Sequence, residues 1–84
     1  MQHYYVYAIY SQHRNYIYVG ISNDINRRLN EHNLGYNKTT KPYLPFILIH
    51  YEQFHSRPEA RIREKELKTT SGKRFLRKII DNPS

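Results

Sequence analysis

The sequence predicts an α+β fold, a three-stranded and mainly antiparallel sheet flanked by three helices in the order β-β-α-β-α-α. Two observations carry this. Two tyrosine-rich runs of strand character are joined by a short polar loop, and a third apolar run sits between amphipathic stretches that have helix caps. With 84 residues the chain has room for one compact domain, expected over residues 1–84. Such a domain buries only about 60% of its unfolded surface, so its core is small.

Residues 4–10 and 16–21 are both rich in β-branched and aromatic residues, and residues 11–15 between them are polar, which reads as a hairpin. With residues 11–14 as the loop, Tyr10 pairs with Asn15 and Tyr7 faces Tyr18. Alternation then places Val6, Ala8, Ile17, Val19 and Ile21 on one face with Tyr4 and Tyr10. Tyr5, Tyr7, Tyr16, Tyr18 and Gly20 take the other, with Ile9.

Ser22, Asn23 and Asp24 are N-cap candidates for a helix over residues 24–33, with Gly35 as its stop and Ile25 and Leu29 as its apolar stripe. Residues 36–45 form a polar loop whose end is marked by Pro42 and Pro45, and residues 46–54 read as the third strand. Ser56 and Glu59 make a capping box for a second helix that runs to about Lys68. Ser71-Gly72 reads as a break, and Phe75, Leu76, Ile79 and Ile80 give a last helix over residues 73–80.

Fourteen Lys and Arg against seven Asp and Glu give a net charge of +7, which suits a polyanionic partner, nucleic acid above all. The competing reading is a basic surface that serves only solubility. No cysteine is present, so disulfides and zinc–thiolate sites are ruled out. No apolar run approaches the roughly 20 residues that span a bilayer, and Met1-Gln2-His3-Tyr4 lacks the order of a signal peptide. The expected location is the cytoplasm. Six of the nine tyrosines fall between Tyr4 and Tyr18, where they suit strands and can also stack on bases.

Two positions stand out chemically. In the second helix Ala60, Glu64 and Leu67 lie within about 60° of one another, so Glu64 carries a carboxylate onto the inward stripe. Such a group needs a partner, either a metal ion or Lys68 four residues on. In the first helix Arg28 and His32 sit one above the other, about 60° from the Ile25/Leu29 stripe, where they can line a cleft beside the sheet. Arg28 can clamp a phosphate and His32 can move a proton near neutral pH. The plain alternative is a solvated basic helix face. His3, His13, His50 and His55 show no metal-ligand spacing, and no acid-rich two-metal site is present.

Taken in order, Tyr5-Val6-Tyr7, Tyr18-Val19-Gly20, Arg28 with His32, and Arg63-Glu64-Lys65 with Leu67-Lys68 resemble the GIY-YIG nuclease superfamily. The likeness is nearest to short stand-alone members related to the N-terminal nuclease domain of the bacterial excision-repair incision subunit. It implies a single-metal endonuclease that hydrolyses DNA phosphodiester bonds, with a place in repair or recombination. By resemblance Tyr7 takes the proton of the attacking water with help from His32, and Tyr18 orients water or phosphate. Arg28 stabilises the charge on phosphorus, and Glu64 is the one protein ligand of Mg²⁺ or Mn²⁺. Gly20 lets the backbone approach closely. Arg27, Lys38 and Lys41 are candidate DNA contacts, with RNA as an open second substrate.

There are departures from the family pattern. Tyr5 stands where the family has glycine, and the only asparagine late in the chain, Asn82, is given no role. The family's larger members carry separate DNA-binding domains, so specificity here is expected to be low or to come from a protein partner, and the chain to be a monomer. The alternative function is a non-catalytic nucleic-acid-binding module that uses the basic surface and exposed tyrosines. A third reading, a protein adaptor, predicts no affinity for DNA even at low salt.

Overall fold

The computed structural model describes residues 3–82; Met1 and Gln2 of the N-terminal stretch lie outside the described residues. Strands β1 (Tyr4–Ser11) and β2 (Tyr16–Ser22) form the hairpin. Helix α1 (Ile25–Asn33) follows, then a short 3₁₀ turn (Lys41–Tyr43), strand β3 (Ile47–Phe54), and helices α2 (Arg57–Leu67) and α3 (Thr70–Asp81). The sheet is antiparallel throughout, in the order β2-β1-β3. The fold class and element order are those expected.

The sheet separates two apolar layers. Val6, Ala8, Ile17 and Val19 pack against Ala60 and Leu67 of α2 and Leu76 of α3. On the opposite face Tyr7, Ile9 and Phe46 pack with Tyr18, Ile25 and Leu29, which brings α1 across the tyrosine face. The division into an aliphatic and a phenolic face therefore holds.

The register differs from the expected one by two residues. Tyr7 lies opposite Gly20, and Tyr18 opposite Ile9. Ser11 belongs to β1 and pairs with Tyr16, so the turn falls at residues 12–15. Two local features hold it there. Buried Ser11 accepts the Arg14 N–H on Oγ at 3.2 Å, and Asn15 takes a left-handed φ of 50°, which asparagine tolerates. A slip of two keeps every side chain on its face, which is why alternation could not detect it.

The expected helix caps form. Asp24 caps α1 by accepting the Arg27 N–H at 3.0 Å, Ser56 caps α2 by accepting from Glu59 N–H, and Gly35 ends the first helical segment at φ +81°.

The third helix starts earlier than expected. Ser71-Gly72 is not a break but lies in the first turn of α3, capped by Thr69, whose Oγ1 accepts the Gly72 N–H at 3.2 Å. Gly72 sits directly on the last turn of α2. A Cβ there would overlap the Glu66 carbonyl and lie 2.6 Å from the Leu67 carbonyl carbon. Glycine is used here for helix-on-helix approach, not as a helix stop.

The loop after α1 is tied back at two points. Asn33 clasps the Phe46 backbone, donating from Nδ2 to the carbonyl at 3.1 Å and accepting the N–H on Oδ1 at 2.6 Å. Tyr43 stacks on Tyr16 with ring centroids 4.1 Å apart. This closes the loop over the β2 side of the sheet and buries Thr40 completely.

Candidate active site

The centre of the tyrosine face is a buried polar chain. Tyr7 Oη and His32 Nε2 are 2.9 Å apart, and His32 Nδ1 lies 2.7 Å from Thr40 Oγ1. Tyr7 is 3% exposed, His32 1% and Thr40 0%, so the chain is closed to bulk water on most sides. Each member comes from a different element: Tyr7 from β1, His32 from the last turn of α1, Thr40 from the loop that Asn33 and Tyr43 fasten. Tyr18 from β2 completes the cluster, its ring centroid 5.0 Å from that of His32 and 6.3 Å from that of Tyr7.

Gly20 makes room for this arrangement. A Cβ at that position would stand 2.7 Å from Tyr7 Oη and 2.9 Å from its Cζ. The close approach inferred for Gly20 is thus toward Tyr7, its cross-strand partner.

Burial sets the protonation states. It lowers the His32 pKa below its ordinary value, with the nearby Arg28 charge acting in the same direction. It also raises the Tyr7 phenol far above the ordinary tyrosine value; the Tyr18 and Glu64 charges add to the rise and Arg28 opposes it. The resting site at neutral pH is therefore a neutral phenol beside a neutral imidazole. We assign the Nδ1–H tautomer, in which His32 donates to Thr40 and Nε2 accepts the Tyr7 proton.

A prediction about stability follows from the neutral His32. The unfolded chain takes up a proton near pH 6.5, which the folded chain resists. Between that value and the lower folded pKa the unfolded state binds more protons, so stability is complete above pH 6.5 and falls as pH drops below it. The expected result is a lower thermal midpoint at pH 5 than at pH 7, with part of the slope absent in His32→Gln. Equal slopes in both proteins, measured by circular dichroism melts, would remove His32 from this linkage.

Arg28 stands at the rim. Its side chain is 40% exposed, with NH1 3.7 Å from Glu31 Oε1. Its Nε is buried and, among the described residues, makes no hydrogen bond to protein. The accessible donors are those at the terminal nitrogens, which Glu31 holds only loosely, as a phosphate clamp requires. Its charge reaches both Tyr7 and His32.

Glu64 sits on α2, on the other layer, and its side chain is 10% exposed. Its charge still acts on the Tyr7 phenol. Oε2 accepts from Lys68 Nζ at 3.2 Å and Oε1 from Arg61 at 3.3 Å. The sequence offered Lys68 or a metal as the partner of this carboxylate; Lys68 fills that place here, joined by Arg61. Both cations are more than half exposed, so each can swing away at little cost.

No group of three or more His, Cys, Asp or Glu is gathered among the described residues. A multidentate cage of the zinc or calcium type does not fit that donor set. A lone inward carboxylate fits a hydrated Mg²⁺, which keeps most of its waters and takes one or two protein oxygens.

The remaining basic candidates lie outside the buried chain. Arg27 is exposed and donates to Asn23 Oδ1 at 2.9 Å, while Lys38 and Lys41 are exposed on the loop that covers Thr40. Asn82 caps the C-terminal end of α3. Arg63, placed away from the inward stripe by helix geometry, reaches back to Glu52 on β3 at 3.0 Å. Thr40 was the functional-looking residue that sequence reasoning missed, since a threonine in a polar loop carries no signal of burial.

The profile of the GIY-YIG catalytic domain matches residues 3–78, and the chain belongs to that family. Membership of that family suggests a nuclease, with DNA as the substrate the domain implies. A UPF0213 protein of Staphylococcus haemolyticus is 36% identical over 80 residues, covering 94% of this chain and 96% of its own. A UPF0213 protein of Staphylococcus aureus is 38% identical over 64 residues, covering 75% of this chain and 78% of its own. The solution NMR structure of a UPF0213 protein from Bacillus halodurans is similar with a TM-score of 0.53 at 31% identity, covering 88% of this chain and 81% of that one.

Proposed function

We propose that the chain is a divalent-metal-dependent endonuclease that hydrolyses DNA phosphodiester bonds by a single-metal route, in repair or recombination, as one domain over residues 1–84. The observation that carries the reading is the buried Tyr7–His32–Thr40 chain beside a half-exposed Arg28 guanidinium whose NH1 lies 3.7 Å from Glu31. Phosphodiester hydrolysis needs a proton acceptor for water and a cation for the phosphate, and this arrangement offers both.

In this reading Tyr7 is a proton relay, not a standing phenolate. Burial disfavours the free phenolate, so Tyr7 passes its own proton to His32 Nε2 as it takes one from the attacking water; the water oxygen bonds to phosphorus as the opposite P–O bond breaks, and the leaving oxygen takes its proton from solvent. The Nδ1–H bond to Thr40 fixes the imidazole with Nε2 as the acceptor, which makes Thr40 a positioning residue. Arg28 binds the phosphate oxygens and stabilises the charge that builds on them. Tyr18, packed against His32, orients water or phosphate.

Glu64 would hold the Mg²⁺ or Mn²⁺, which when bound supplies Lewis-acid charge at the phosphate. Arg27, Lys38 and Lys41 would hold the flanking backbone. We place the protein in the cytoplasm as a monomer, with any strong specificity supplied by a protein partner. No helix among the described residues is long and apolar enough to cross a membrane.

One observation favours the second reading, a nucleic-acid-binding module without catalysis: both Glu64 oxygens are bonded to cations. The test is metal removal. Supercoiled plasmid and labelled DNA and RNA strands are incubated with the protein and Mg²⁺, then with chelator, then with metal restored. Cutting that stops on chelation and returns on addition is the expected result. Salt-sensitive binding with no cutting under any metal would leave only the binding module.

A further inference from the structure

We propose that the cleft beside Arg28 is a subsite for one unpaired nucleobase, with Tyr36 as its stacking platform. The inference rests on the nuclease reading and adds a substrate class to it, namely nucleic acid that is single-stranded or unstacked next to the cleaved bond. The cleft is about 290 Å³ and is lined by Arg28, Glu31, His32, Tyr36 and Asn37. It therefore joins two residues of the buried site to two residues of the following loop that the relay does not use.

Tyr36 is 73% exposed, the most exposed large hydrophobic side chain among the described residues. It is nonetheless held in place, because its N–H donates to the Glu31 carbonyl at 3.1 Å and it follows Gly35, whose φ of +81° turns the chain there. An exposed aromatic ring on a fixed backbone offers a flat apolar face, and bases stack on such rings without regard to sequence.

Asn37 adds an edge contact. Its Oδ1 already accepts the N–H groups of Thr39 and Thr40, at 2.8 and 3.3 Å. That fixes the amide so that Nδ2 remains as a donor for a base edge, while Glu31 can accept from an exocyclic amine. A phosphate on Arg28 and a base on Tyr36 fit neighbouring parts of a single nucleotide. A base stacked on the Tyr36 ring has to leave its own stack, which an intact duplex does not allow at that position.

The test measures equilibrium binding of the full chain in chelator, so that no cutting intrudes. The probes are a fluorescent single strand, the same sequence as a closed hairpin duplex, and a strand carrying 2-aminopurine. Tyr36→Ala is expected to bind the single strand about ten-fold more weakly, the loss of one stacked base, and the duplex within about two-fold of wild type. Tyr36→Phe keeps the ring and is expected to stay within about two-fold of wild type on both. Quenching of 2-aminopurine by the wild type should be absent with Tyr36→Ala. Equal single-strand affinity for all three proteins, or a Phe variant as weak as the Ala variant, overturns the subsite. If metal-dependent cutting persists in that case, the nuclease reading survives it. A wild type that binds neither strand nor duplex sinks both.

Discussion

Tyr7→Phe is expected to slow phosphodiester cleavage by about 10²- to 10⁴-fold, the usual contribution of a positioned proton-transfer group, while the protein remains folded. The substitution removes one oxygen and keeps the ring among Ile9, Phe46 and the α1 stripe. It leaves His32 Nε2 without the partner it has at 2.9 Å. The stability cost is about 1–3 kcal/mol, the penalty for one buried group left unpaired. That is small enough to separate from the loss of rate. The wild-type rate should rise with pH through the range below 6.5, where His32 loses its proton, because burial has lowered that pKa. It should then stay flat to pH 9, since the Tyr7 phenol titrates well above that range. Thr40→Val, which takes away the Nδ1 partner, should lower the rate and change the acid limb of the profile. Single-turnover cleavage from pH 5 to 9 measures all three proteins. A Tyr7→Phe rate within a few-fold of wild type would take Tyr7 out of the relay.

Gly72→Ala is expected to destabilise the fold by about 3 kcal/mol, at the upper end for overpacking. In an ordinary helix the same change is stabilising by about 1 kcal/mol, so the sign itself is diagnostic. The added methyl would meet backbone atoms of Glu66 and Leu67, which cannot rotate aside as a side chain would. Helices α2 and α3 must separate, and Leu67 and Leu76, both buried, lose packing with them. A domain of this size has about 4–13 kcal/mol of stability in all. The loss should therefore lower the thermal midpoint by about 12 °C or more. A midpoint within two or three degrees of wild type would show that the two helices do not meet as described.

Much of the fold was legible because its signals are local. Asp24 and Ser56 are caps that declare themselves by residue type, and the alternation of β1 and β2 sorts aliphatic from phenolic faces at any even register. What depends on contacts between distant segments was not legible. The hairpin slipped by two because Ser11 joins the strand, a choice made by its bond to Arg14 N–H and by Asn15 in the turn. Gly72 looked like a helix break because its reason is the backbone of another helix. At the site, Arg28, His32 and Glu64 stood out by helix spacing, and Tyr7 and Tyr18 were named by the family resemblance. His32 was expected to line a cleft and does so, but it is also almost fully buried, between Tyr7 and Thr40. Thr40 is brought there by a loop closure that Asn33 and Phe46 make across thirteen positions. No periodicity reports such a contact.

Glu64 is where the nuclease and the binding module part most sharply. The decisive measurement is binding and cleavage in the same samples, for wild type and Glu64→Ala, on duplex, single-stranded and branched DNA with Mg²⁺, Mn²⁺ or chelator. The wild type is expected to cut only with metal, and the variant to bind about as well while cutting at least about 10³-fold more slowly. Metal-dependent cutting that survives in the variant would contradict Glu64 as the ligand. Tight, salt-sensitive binding with no cutting by either protein would contradict the nuclease itself.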